Sequence, residues 1–207
     1  MSKAVDTIGP SPGNGAQPDI DIEQPFIVQF TVKGTVPFLF HRWNNEAVEE
    51  KAKAKRGSEA KKTDNIESYV YRNPEGEICI PGAYVHAAMV KAAKYRQDPR
   101  STRKSAMDLY KAAIAPNTEL ATLGKSEWDF VDMRRVRVNQ SGITRHRPAF
   151  YAGWEATWEF TGLLPEYVSP ADFLDVLTLA GRVEGLGDFR PTYGRFAVVH
   201  FETIELS

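Results

Sequence analysis

Trp154, Ala156, Trp158 and Phe160 alternate with Glu155, Thr157, Glu159 and Thr161. Side chains two residues apart share one face of a strand, so this run is a half-buried strand of strong β formers. The same alternation runs near the other end of the chain. Phe26, Val28, Phe30 and Val32 interleave with Ile27, Gln29, Thr31 and Lys33, and Phe196–Leu206 reads as a last strand. Before that strand, Ser169-Pro170 supplies a helix N-cap and a first-turn proline, with Asp172 where a capping acid belongs. Phe173, Leu174, Leu177 and Ala180 form the inner face of that helix.

The middle of the chain supplies the remaining elements. Asn73-Pro74-Glu75-Gly76 is a turn between short strands around Ser68–Arg72 and Glu77–Ile80. Pro81-Gly82 opens a helix whose Val85, Ala88, Met89 and Ala92 make a core-facing stripe, and Asp98-Pro99 ends it. A second helical segment is expected from Ser101 to Ile114. Residues 128–139 read as a strand, and a loop at Ser141-Gly142 leads into Arg145-His146-Arg147-Pro148. Reduced to core elements the order is strand, helix, two strands, helix, strand. This predicts an α+β, ferredoxin-like (βαββαβ) antiparallel sheet with helices on one face. Residues 1–24 are rich in Gly, Pro and Asp and are expected to form a disordered acidic tail, leaving 25–207 as one domain. An insertion over about 41–80 includes the Glu/Lys/Ala-rich stretch 44–62.

A chain of 207 residues with 42% hydrophobic and 26% charged side chains is long enough for a proper core. The single cysteine, Cys79, has no partner for an internal disulfide and lies in an apolar run. No Cys/His set has zinc spacing, and the glycine-rich segment 181–196 lacks the Gly-Lys-Ser/Thr of a phosphate loop, so neither a metal nor another cofactor is expected. The N-terminus lacks the apolar core of a signal peptide, and no stretch approaches membrane-spanning length. A cytoplasmic location and no membrane partner are expected.

The net charge of −1 conceals an uneven distribution. Arg134, Arg135, Arg137, Arg145 and Arg147 fall in a run with no acid. Six basic residues between Lys91 and Lys104 face only Asp98. Lys/Arg neutralisation of phosphates dominates nucleic-acid affinity, and arginine's planar fork suits both phosphates and base stacking. A second feature is the segment from Gly181 to Phe196. Its glycines, Gly185, Gly187 and Gly194 among them, permit close backbone approach and a nest of amides for an anion. Arg182, Arg190 and Arg195 interleave there with Phe189, Tyr193 and Phe196, which joins charge to stacking platforms. Solvated charge and a long turn are the bland readings of the two features.

Of the four histidines, His86 and His200 fit structural roles. His41, in Phe40-His41-Arg42-Trp43, and His146, between two arginines, are weak candidates for acid–base catalysis or for phosphate contact. No partner carboxylate or serine nucleophile stands beside either in sequence.

Ile80-Pro81-Gly82-Ala83-Tyr84-Val85-His86-Ala87-Ala88-Met89 resembles the segment that opens the first helix of the RAMP superfamily. That superfamily comprises ferredoxin-fold RNA-binding subunits of CRISPR effector complexes. Gly185-Leu186-Gly187-Asp188-Phe189-Arg190, followed by Tyr193-Gly194-Arg195-Phe196, is similar to its glycine-rich loop before the last strand. His86-Ala87 stand where that family has Lys-Gly, which removes the expected phosphate contact from this helix. The short chain leaves little room for inserted subdomains, in keeping with a divergent or phage-encoded relative. The resemblance implies a non-catalytic protein that holds single-stranded RNA or DNA along its sheet and loop face, with copies able to assemble along the strand. A metal-independent endoribonuclease using His41 and His146, and a protein-interaction module, are the alternatives.

Overall fold

The computed structural model describes residues 24–42, 53, 65–138 and 141–204, with backbone alone for 136–138 and 141–143. Strand β1 (Phe26–Gly34) buries Val28, Phe30 and Val32, as its alternation requires. It pairs antiparallel with β9 (Glu155–Gly162), setting Val28 opposite Phe160, Phe30 opposite Trp158 and Val32 opposite Ala156. Helix α3 (Pro170–Val183) covers this apolar face, with the Phe173 ring 5.8 Å from that of Phe30. Ser169 and Asp172 form a reciprocal capping box at its start. Ser169→Ala is expected to cost about 1 kcal/mol, lowering the thermal midpoint by about 2–4 °C in a scan.

Strand β10 (Phe196–Ile204) pairs antiparallel with the other edge of β1. Helices α1 (Gly82–Ala92) and α2 (Met107–Ala113) lie between the first two strands of this sheet in chain order, and α1 packs against α3. The four-stranded sheet has the order last, first, third, second, with every neighbouring pair antiparallel. The fold is a mixed α+β one with antiparallel sheets.

The identity of the second core strand differs from expectation. It is β5 (Ile114–Pro116), which sets Ile114 against Gly162 and Pro116 against Phe160 of β9. Three residues ending in proline are too few to show a period of two, and residues 128–139 carry the stronger signal. Those residues instead form β7 (Phe130–Val138), hydrogen-bonded to β8 (Ser141–Phe150) in a second sheet whose other edge is β2 (Phe38–Leu39). The stretch Arg145–Pro148 is thus strand, its alternation hidden because charged residues occupy both faces. A third small sheet joins β3 (Tyr71–Arg72), β4 (Ile78–Pro81) and β6 (Leu120–Thr122).

Two further boundaries move. A 3-10 turn over Ile66–Tyr69 replaces the first half of the strand expected around Ser68–Arg72. The second helix begins at Met107 rather than Ser101, because buried Asp98 ties down the preceding loop. Its carboxylate accepts from the Arg100 amide at 2.9 Å and the Arg100 guanidinium at 2.8 Å. The expected acidic tail and nearly all of 44–62 lie outside the described residues.

Candidate nucleic-acid interface

Cross-strand partners in an antiparallel pair share a face. In the β7–β8 hairpin, Asp132 stands opposite Arg147, and Arg134 opposite Arg145. These four form one face, while Met133, Arg135, Thr144 and His146 belong to the other. The arginine run is therefore divided between two surfaces. The side chain of Arg137 lies outside the described residues.

On the first face, Arg134 Nε donates to both oxygens of Asp132, at 3.0 and 2.9 Å, and its terminal nitrogen donates to the Tyr193 hydroxyl. The Asp132 carboxylate holds the guanidinium still more firmly charged than usual. The cation also lies 4.6 Å from the ring centre of Tyr193 and 5.5 Å from that of Phe189. Arg147, only 5% exposed, donates from Nε to Asp188 Oδ2 at 2.6 Å and stacks 4.4 Å from the centre of Phe189. Arg145 lies 3.1 Å from His41 Nε2. A guanidinium can only donate, so that histidine nitrogen accepts and the proton of a neutral ring sits on Nδ1.

The glycine-rich loop delivers Phe189 and Tyr193 to this face by clamping onto β2 and the residue before it. Asp188 N donates to Leu39 O and Gly194 N to Pro37 O, both at 2.9 Å. Leu186 N donates to Gly194 O at 2.9 Å and Tyr193 N to Phe189 O at 3.1 Å. These four amides are engaged within the protein, so the loop is a latch rather than the open anion nest its glycines suggested. Gly187 has φ +77° and leaves only 2.5 Å between an added Cβ and Leu39 O, which accounts for glycine there.

Four residues that the sequence alone did not single out extend the face. Tyr69 packs against His41 with centroids 4.8 Å apart and the rings tilted by 33°, and Arg42 sits 4.7 Å over the Tyr71 ring. Tyr71 meets Tyr84 edge-on at 6.0 Å, their hydroxyls 3.5 Å apart. Burial, and then Tyr71, push the Tyr84 hydroxyl far above its ordinary pKa, so it stays a neutral donor. The sequence signal for two of them is Tyr69-Val70-Tyr71, whose middle residue is buried and whose outer two face away from the core.

No family model matches the chain, and no curated protein matches it in sequence. Among solved structures it is similar to a chain of the Type III-B Cmr-beta complex bound to cognate target RNA, solved by cryo-EM. The TM-score is 0.53 at 9% sequence identity, over 87% of this chain and 61% of the other. The likeness is one of fold. This chain spans about three fifths of the length of the solved chain it matches.

Other expected residues fall elsewhere. Arg182 and Arg195 flank a separate cleft of ≈ 450 Å³ between α3 and β10, floored by Gly181 and Phe196. Arg135, Arg182, Arg190 and Arg195 are exposed, and their side chains make no hydrogen bond or ion pair among the described residues. His146 and His41 reach opposite sides of the hairpin sheet, so they do not converge on one phosphodiester. The open face of the four-stranded sheet carries Glu155, Glu159 and Glu202 against Lys33 and His200. Lys33 is paired with Glu155 at 2.6 Å, leaving that face acidic on balance and unsuited to a polyanion. Among the described residues, no group of His, Cys, Asp or Glu is placed to hold a metal ion. No described helix is long and apolar enough to cross a membrane.

Proposed function

We propose that this chain is a ferredoxin-like protein of the RAMP kind that binds a single strand of nucleic acid, RNA before DNA, without cleaving it. The observation that carries this reading is the convergence of Arg134, Arg145 and Arg147 on one hairpin face against a ring of aromatic side chains. Arginine beside aromatic rings provides phosphate neutralisation and base stacking in the same place. Arg190 adds an exposed, unpaired cation from the loop, while Gly185, Gly187 and Gly194 shape the loop's path. Arg135, His146, Arg182 and Arg195 lie off this face and serve as peripheral phosphate contacts. The resemblance of the helix-opening and loop segments, and a fold shared with a chain from an RNA-bound complex, favour RNA. The ribonuclease reading has no comparable support, because its two histidines do not converge.

The test is fluorescence anisotropy with labelled single-stranded RNA, single-stranded DNA and duplex across a range of salt. Each phosphate neutralised on a single strand contributes about −0.7 to the slope of log K against log salt. Four contacts predict a slope near −2.8, or about a 50-fold loss of affinity between about 50 and 200 mM salt. Binding that ignores salt, or a duplex bound as tightly as the single strands, would sink the reading.

A further inference from the structure

Arg147 is an unusual residue to find at 5% exposure. Burying a guanidinium is costly unless its donors are satisfied. One is well satisfied, by Asp188 at 2.6 Å, but Nη1 is buried with no hydrogen-bond partner. The cation is covered by Phe189, whose ring centre lies 4.4 Å away, and Arg134 lies 5.5 Å from the same ring. Two consecutive residues therefore offer Arg147 an anionic oxygen and an aromatic face. A nucleotide offers the same pair, a phosphate oxygen and a base.

The backbone at this point is held away from its relaxed state. Phe189 has φ +53°, a left-handed conformation that is an outlier for a bulky side chain. The Asp188 carboxylate also accepts from the Phe189 amide at 2.9 Å, tying the pair into one unit. Gly185 and Gly187 precede the pair and Gly194 follows it, with φ of +70°, +77° and +72°. Such residues at both ends let a short segment swing while its flanks stay in place.

We propose that Arg147 and Arg134 form a subsite for one nucleotide unit, and that Asp188–Phe189 fill it in the free protein as a displaceable mimic. The proposal rests on the strand-binding reading above. A strand entering the subsite replaces the carboxylate by a phosphate and the phenyl ring by a base. It also brings an acceptor to Arg147 Nη1, which the resting loop leaves without one. Phe189 is then a gate rather than a stacking platform, because guanidinium groups already lie against its ring.

Hydrogen exchange on the full chain, alone and saturated with single-stranded RNA, tests this directly, with affinities of Phe189→Ala and Phe189→Leu beside it. Phe189 is chosen over Asp188 because removing a carboxylate would raise affinity for any polyanion by charge alone. The amides of Asp188 and Tyr193, bonded to the Leu39 and Phe189 carbonyls, are expected to exchange faster in the complex. Apparent affinity scales with the fraction of protein in the open state, so losing the ring should tighten binding by roughly 3- to 10-fold. Slower or unchanged exchange of those amides on binding, or weaker binding by both variants, overturns the proposal. If a variant fails to fold, exchange in the unaltered protein decides. Absence of strand binding by the unaltered protein removes the parent reading and this one together, whereas binding with the loop closed removes this one alone.

Discussion

Gly194→Ala is expected to destabilise the protein by about 3 kcal/mol, a fall of about 6–12 °C in thermal midpoint for a chain of this size. Two costs combine. At φ +72° an L side chain pays about 1–2 kcal/mol in backbone strain. An added Cβ would also stand 1.7 Å from Leu186 O, so the loop must shift. It has little freedom to do so, because Leu186 N bonds Gly194 O while Gly194 N bonds Pro37 O. Gly76 separates the two costs. It has φ +83° at the β3–β4 turn but nothing within 4 Å of an added Cβ. Gly76→Ala should therefore show strain alone, about 1 kcal/mol. Thermal or urea unfolding of the two variants checks the difference; equal losses would mean that the loop closure is not tight.

Much of the fold was legible because its longest elements obey simple rules. β1 and β9 alternate cleanly, and Ser169-Pro170 with Asp172 forms the capping box the residues predict. β5 was invisible, because Ile114-Ala115-Pro116 is too short for periodicity and earns its place only by pairing with β9. The strand character of Arg145–Pro148 was masked for a different reason. Arg145, His146 and Arg147 put a charged or polar side chain on both faces of β8 even though Arg147 is buried, and a hydrophobic period then says nothing. The candidate site follows the same division. Composition revealed where the arginines are in the chain, but only the register separates Arg134, Arg145 and Arg147 from Arg135 and His146. Tyr69 and Tyr71 carry a local signal in their spacing around buried Val70, but their meeting with His41 and with Tyr84 comes from tertiary packing, which no local pattern encodes.

Replacing both Arg134 and Arg145 by glutamine should weaken single-strand binding about 30- to 100-fold. Each charged contact to a phosphate is worth about 1.4 kcal/mol or somewhat more, a factor of ten apiece. Full additivity is not expected, because the two stand opposite each other in the hairpin and share a ligand. Arg134 is also partly neutralised already by Asp132 at 2.9 Å. The salt slope should fall by about 1.4, the signature of two lost phosphate contacts rather than of a misfolded site. Glutamine preserves much of the side-chain length and some donor capacity, which protects the contacts with Tyr193 and His41 from outright loss. Lys33→Gln tests the competing path across the open sheet. That lysine is ion-paired with Glu155 and has Glu159 and Glu202 on its face, so its loss should leave strand affinity unchanged. Anisotropy titrations of the three proteins at two salt concentrations decide between the surfaces. If Lys33→Gln weakened binding while the double variant did not, the strand would run over the sheet and the hairpin arginines would be structural.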